Sequence, residues 1–300
     1  MINMYKFNSK SKIGFIGTGS VGGSLALSLH KKNYPIVALA SKKYTSAEKL
    51  AKTIPNCKAY KSLNKVIEKS EVIFITTTDD CIENIVSSLV WQSNKAVIHC
   101  SGAASTDILK HASQQKASTG TFHPLQAFAS IEKGVESIPG TTFAIEGDPN
   151  IISYLKDIAF KLEGSYILLK AEDKVLYHVS GVMLGGLLTS FAATTAQIWD
   201  SIGLSREEGL KSLSHMMEQV SKNLNTLGIP AAIAGPYPRG DIGTIKKHLK
   251  ELYTKYPKIL PLYCELALCA LPLAIEKGSI NKETHDEIYK IILKYKKLSS

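Results

Sequence analysis

Arginine is nearly absent from this 300-residue chain. Only Arg206 and Arg239 occur, and lysine carries the rest of a formal net charge of +10. Those lysines never cluster into a block of five or six, so the basic run of a nucleic-acid-binding tail is missing and no nucleic-acid partner is expected. A dispersed positive field of this kind favours anionic cofactors and a small anionic substrate. The five cysteines (57, 81, 100, 264 and 269) include no C-x-x-C pair and no metal-ligand spacing, and their number is odd. A disulfide framework and a metal site are therefore not expected, and free thiols in a reducing compartment are. The N-terminal MINMYKFNSKSK lacks the apolar segment of a secretory signal, so the expected location is cytoplasmic. Solenoid-period repeats and low-complexity tracts are missing as well. One uncharged stretch, Val179 to Trp199, is long enough to cross a bilayer. Its many Ser, Thr and Gly residues and the lack of a flanking lysine cluster make it a buried central helix of a soluble protein, with no membrane partner expected.

What is present begins with an alternation. KIGFIG (Lys12 to Gly17) reads as a strand, and SVGGSLALSLHKK has helical spacing of its apolar positions. PIVALA, EVIFITT and KAVIHCSG read as further strands, separated by helices over about Thr45 to Ile54 and Asp80 to Val90. GTFHP and TTFAIEG follow, then a helix from about Pro149 to Leu162 and a last strand, SYILLK. Repeated β-α units at this spacing predict an α/β fold with a doubly wound, Rossmann-type parallel sheet. From Ala171 onward long apolar-periodic segments take over, so the chain reads as a domain over 1–170 and an all-helical substrate and dimerisation domain over 171–300. The Gly/Pro-rich LGIPAAIAGPYPRGD interrupts the helices.

Gly17-Thr18-Gly19-Ser20-Val21-Gly22 fits G-x-G-x-x-G, and it follows a strand and opens a helix, the context that dinucleotide binding requires. About 20 residues on, where an NAD site places a carboxylate, the chain has Ser41-Lys42-Lys43. A hydroxyl and two ammonium groups attract a 2′-phosphate, so the expected cofactor is NADP(H).

Ligands of open α/β sheets sit beyond the carboxyl ends of the strands. Thr77, Thr78 and Asp79 fall there, the two threonines as cofactor contacts or all three as helix caps, and Ser101-Gly102 follow a strand too, with Ser101 as a substrate contact or the pair as a turn. His99, inside its strand, reads as a core residue. His123, held before Pro124, reads as a substrate or nicotinamide contact or as a structural hydrogen-bond partner. Lys174 and His178 stand four apart on one helix face, and both are expected to project into the cleft as catalytic groups: an ammonium to protonate a developing alkoxide and an imidazole to orient substrate.

Together GFIGTGSVG, VIHCSGA, TFHPLQAF, FAIEGD, DKVLYHVSGVM and AGPYPRGDIGTIKKHL give the chain a resemblance to the Rossmann-like proteins that carry the domain of unknown function numbered 2520. That family is related to the 6-phosphogluconate dehydrogenase and pyrroline-5-carboxylate reductase group, and some members resemble a second type of ketopantoate reductase in pantothenate synthesis. The resemblance implies that Lys174 occupies a catalytic-lysine position and that His178 falls where the dehydrogenase group has a substrate-touching asparagine. It also implies that Arg239, Asp241 and His248 lie near the cleft. Ala127 departs from the family's usual threonine after HPLQ, and LSHMMEQ lacks a proline often found there. The reading is an NADPH-dependent reductase of a small 2-oxo acid, with ketopantoate as the leading candidate, working as a homodimer. An imine reductase of the pyrroline-carboxylate type and a non-catalytic NADP(H) sensor are the alternatives.

Overall fold

The computed structural model describes residues 6–298. Short apolar runs rich in β-branched residues form the strands β1 (Ile13–Ile16), β2 (Ile36–Ala40), β3 (Lys58–Ala59), β4 (Val72–Ile75), β5 (Ala96–His99), β6 (Ser118–Pro124), β7 (Thr142–Gly147) and β8 (Ser165–Leu168). Between them lie α1 (Ser20–Lys31), α2 (Tyr44–Ala51), α3 (Leu63–Lys69), α4 (Asp79–Ser87), α5 (Lys110–Gln114), α6 (Ile131–Ser137) and α7 (Pro149–Lys161). The strands join in one sheet of order β3-β2-β1-β4-β5-β6-β7-β8, parallel throughout except for the antiparallel β6–β7 pair. This is the doubly wound Rossmann arrangement. The strand order reverses between β1 and β4, which opens a crevice at their carboxyl ends.

Both faces of the sheet are covered, so most strands are buried along their length. One face packs Phe15, Phe74, Phe122 and Phe143 with residues of α1, α2 and α7, including Leu25, Leu50 and Leu155. The four rings form a row, with Phe15 on Phe74 at 5.1 Å and Phe122 on Phe143 at 4.3 Å between centroids. Each such side chain contributes roughly 1.5–3 kcal/mol through burial. The other face packs Ile16, Ile73, Ile75 and Val97 against α3, α4 and α5 through Val66, Ile82, Val86 and Ala112.

After the sheet come α8 (Lys174–Leu184), α9 (Gly186–Ala196), α10 (Arg206–Leu227), α11 (Ile242–Lys255), α12 (Leu260–Glu276) and α13 (Lys282–Leu298). A capping box starts α10: Ser205 Oγ accepts from the Glu208 amide and Glu208 Oε2 accepts from the Ser205 amide. In α11 to α13, Ile245, Leu249, Leu260, Leu271, Ile288 and Ile292 make a separate helical core. Two compact units result, the first ending at Leu187 and the second beginning at Leu188. The boundary expected at 170 thus shifts, because α8 belongs to the sheet unit, where Lys174 anchors it to β6 and β7.

The uncharged Val179 to Trp199 stretch is a second correction. It is not one buried helix: α8 stops at Gly185, α9 restarts at Gly186, and a 3-10 turn follows over Gln197–Ile202. The surrounding stretch, residues 171–202, holds an 18-residue segment with a mean hydropathy of 1.5 and is the one helical segment among the described residues long and apolar enough to cross a membrane by length and composition. Most of it is exposed, including Val175, Leu176, Val179, Val182 and Met183.

Candidate active site

Parallel register brings the strand ends of the first unit level. Ile16 pairs with Ile75, Ile75 with His99, and His99 with Thr121, so the residues just beyond them share one rim. On that rim Gly17 turns with φ +108°, and a Cβ there would lie 2.6 Å from the Thr76 carbonyl, so only glycine fits. Thr76 Oγ1 donates to the Gly17 carbonyl at 2.7 Å and ties the loop to β4. The loop ends in α1, whose N-cap is Gly19; no side chain caps the helix and its first turn holds no acidic residue. Beyond its chain neighbours, no atom of the described residues would lie within 4 Å of a Cβ on Gly19. Thr18 Oγ1 is buried there without a hydrogen-bond partner among the described residues.

A groove of about 700 Å³ runs from this loop and is lined by Gly17, Thr18, Gly19, Ser41, Lys42, Thr77 and Thr78, with Lys61, Asn84 and Ser88. Ser20, Val21 and Gly22 form the first turn of α1. The donor set fits a dinucleotide: free helix-end amides and an orphaned hydroxyl suit a pyrophosphate, and no carboxylate competes with it along this lining. Lys43 does not line the groove; it stands outside as the N-cap residue of α2. Lys61, which the sequence reading passed over, does line it, with its ammonium 5.4 Å from the centroid of the Tyr44 ring.

Beside the rim a second cavity, about 440 Å³, is lined by His123, Leu125, Gln126, His178, Gly181 and neighbouring residues of α8. The imidazoles of His123 and His178 stand edge to face at 5.8 Å. Gly102 makes room for both, since a Cβ there would fall 2.5 Å from His178 Cδ2 and 2.7 Å from His123 Nε2. Ser101 is buried and does not line this cavity, its hydroxyl donating to Asp79 and accepting from the Ala104 amide. His99 is a satisfied core residue. Its Nδ1 accepts from the Ser101 amide, so the ring proton sits on Nε2 and is donated to the Ser105 carbonyl at 3.0 Å. Burial holds its pKa down at about 4.

Of the pair Lys174 and His178, only His178 reaches the cavity. Lys174 is fully enclosed, its Nζ donating to Thr121 Oγ1 at 2.9 Å and lying 3.6 Å from Glu146 Oε2. Glu146 sits opposite Thr121 across the β6–β7 pair, and its other oxygen accepts from the Thr106 amide and hydroxyl. Burial lowers the Lys174 pKa, and the Glu146 carboxylate opposes that shift. A lysine at the start of a helix ordinarily faces solvent; this one turns inward because a carboxylate waits on β7.

His123 is half-buried, and its Nδ1 lies 2.9 Å from Tyr177 Oη, a partner that the four-residue spacing of Lys174 and His178 did not indicate. Arg239 and Asp241 belong to the second unit, in the break between α10 and α11. Asp241 caps α11, accepting from the Thr244 amide at 3.0 Å, and that bond, ahead of the nearby Arg239 charge, lowers its pKa. No ion pair joins Asp241 to Arg239 among the described residues, and Arg239 is exposed. His248 Nδ1 meets Tyr263 Oη at 2.9 Å in the same unit.

Comparison with known proteins agrees with this architecture. Residues 12–102 match the family described as NADP oxidoreductase, coenzyme F420-dependent, and residues 141–269 match a domain of unknown function, DUF2520. No curated protein sequence matches the chain significantly. Among solved structures, the chain is similar to a candidate NADP oxidoreductase from Bacteroides fragilis (21% identity, 88% of this chain and 99% of that one, TM-score 0.72). It is also similar to the NADP-bound pyrroline carboxylate reductase of Plasmodium falciparum (16% identity, 98% and 100%, TM-score 0.59). A third likeness is to the reductive aminase of Aspergillus terreus in complex with NADPH and ethyl-5-oxohexanoate (15% identity, 95% and 93%, TM-score 0.57). At these identities the shared property is the fold, a Rossmann-type sheet followed by a helical region, as in NADP-dependent reductases.

Proposed function

We propose that the protein is a cytoplasmic, NADPH-dependent reductase of a small 2-oxo acid, with ketopantoate as the leading candidate. The observation that carries the reading is the pairing, on one rim, of the Gly17–Gly19 groove with a cavity walled by two imidazoles. Ser41, Lys42 and Lys61 favour the 2′-phosphorylated dinucleotide, since each adds a donor and none a carboxylate. When bound, NADPH supplies the hydride. The protein's own part is to orient the acceptor, exclude water and deliver one proton. His178 and His123 face the acceptor's cavity, and Ser101, whose hydroxyl is held by Asp79, is the proposed further substrate contact. Lys174 acts from behind, as a fixed charge that sets the position of β6. Arg239 is the proposed partner of the substrate carboxylate, because its planar fork can bind one bidentately. The free, exposed thiols of Cys81 and Cys269 suit a reducing compartment.

A second reading, an imine acceptor, draws support from the fold likeness to a pyrroline carboxylate reductase and a reductive aminase. NADPH oxidation followed by absorbance, with ketopantoate, other 2-oxo acids and pyrroline-5-carboxylate, separates the two. Turnover of the keto acids alone supports the main reading, and turnover of the imine alone replaces it. Tight NADPH binding with no turnover on any of them favours a redox sensor. We further propose a homodimer in which a second copy covers exposed Val175, Leu176, Val179, Val182 and Met183 of α8. Light scattering that returns a monomer mass at micromolar concentration rejects it.

A further inference from the structure

The cavity raises a question that Lys174 leaves open: which group gives up the proton. Lys174 Nζ is enclosed and committed to Thr121 and Glu146. His123 lines the cavity with its Nε2 edge towards Gly102, and behind it Tyr177 Oη stands 2.9 Å from Nδ1. The two rings are perpendicular, with centroids 5.6 Å apart. A neutral imidazole nitrogen is the better acceptor and a phenol the better donor, which orients this bond as Tyr177 O–H to His123 Nδ1. The single ring hydrogen of His123 then sits on Nε2, the nitrogen that faces Gly102 and not Tyr177.

The surroundings keep both groups in that state at neutral pH. Burial, aided by the charges of His178 and Lys174, holds the His123 imidazole at about 4, and burial pushes the Tyr177 phenol up to about 12. A neutral imidazole can polarise a carbonyl and pass its proton to the oxygen that becomes anionic.

We propose that His123 is the proton donor of the reaction and that Tyr177 is the positioning residue that restores its proton. The inference rests on the reductase reading above. As hydride reaches the acceptor carbon, the π pair moves to the oxygen or nitrogen. That atom bonds the Nε2 hydrogen while the N–H pair stays on the ring. Nδ1 takes the phenolic hydrogen and leaves tyrosinate; once product departs, solvent protonates Nε2 and Nδ1 returns its hydrogen to the tyrosinate, which restores the starting tautomer. One hydride and one proton are consumed, and no further reactant is needed.

Two measurements test it. Imidazole ¹⁵N NMR of the full chain, with the His123 signals assigned by their loss in His123→Asn, is expected to show protonated Nε2 and unprotonated Nδ1 between pH 5.5 and 8. Protonated Nδ1 there overturns the relay. In kinetics, Tyr177→Phe is expected to lower kcat about 10- to 100-fold with the Michaelis constant and NADPH affinity within about twofold, and to change the solvent isotope effect on kcat. His123→Asn should lose about 10²- to 10⁴-fold. A Tyr177→Phe enzyme with wild-type kcat, or with substrate and NADPH binding weakened in step with kcat and an unchanged isotope effect, overturns the relay and leaves the reductase reading standing. No wild-type turnover on any keto acid or imine removes the reductase reading and the relay with it.

Discussion

Replacing Lys174 by methionine keeps most of the side-chain volume and removes only the ammonium, which isolates the charge. Lys174 Nζ is fully buried, and its ionic partner Glu146 Oε2 has no hydrogen-bond donor among the described residues. Removing one member of a buried pair leaves the other charge uncompensated and costs about 3–5 kcal/mol. The lower end applies here, because the ions are 3.6 Å apart and Glu146 Oε1 keeps its bonds to the Thr106 amide and hydroxyl. For a unit of this size about 3 kcal/mol corresponds to a fall in melting temperature of roughly 6–12 °C. The assay is calorimetry of Lys174→Met, Glu146→Gln and the double variant at pH 7.5. Each single change should destabilise, and the double should recover much of the loss, because a neutral amide beside a thioether leaves no stranded charge. A Lys174→Met protein that melts within a degree of wild type refutes the buried pair, and strictly additive losses refute the coupling.

Two further outcomes follow from the same geometry. His99 and His123 are held at about 4 against an ordinary 6.5. Below pH 6.5 the unfolded chain therefore binds protons that the folded chain refuses, so stability is full above that pH and is lost as the pH falls towards 4. For fully buried His99 the loss by pH 4 is about 3 kcal/mol, readable in urea midpoints, and His99→Gln should flatten that limb. In the groove, Lys61→Ala should weaken NADPH about 10-fold while leaving NADH nearly unchanged, as expected for one charge-assisted contact of about 1.5 kcal/mol. Fluorescence titration reads both affinities, and parallel loss of the two nucleotides would mean that Lys61 does not serve the 2′-phosphate.

Much of the sheet unit was legible because its signals are local. A strand, the Gly17–Gly22 turn and an apolar-periodic helix follow one another in the sequence, and the structure reproduces that order as β1, loop and α1. Elements too short to show periodicity were not legible. β3 is two residues long, and α5 and α6 span five and seven, so Lys61, placed just after β3, carried no signal. The inward turn of Lys174 depends on a partner 28 residues earlier on β7, and helix spacing cannot report it. The charged glutamate in the otherwise apolar TFAIEG was the available hint. Tyr177 was hidden by the same reading: attention to positions four apart on α8 skipped the residue whose hydroxyl reaches across to β6.

The placement of Lys174 and His123 separates two tasks that a single exposed lysine would combine. An ammonium that donated its proton to substrate would leave Glu146 beside a neutral amine in a water-poor interior, and the fold would have to absorb that change at each turnover. Here the charge stays fixed between β6 and β7, where Lys174 also disfavours protonation of His123 and His99. The mobile proton is carried by neutral groups, His123 at the cavity wall and Tyr177 behind it, whose exchange does not alter the buried ion pair. A site arranged this way keeps its proton donor loaded across the neutral range. The corollary is that Lys174→Met should impair folding stability more than the proton-transfer step, whereas Tyr177→Phe should do the reverse.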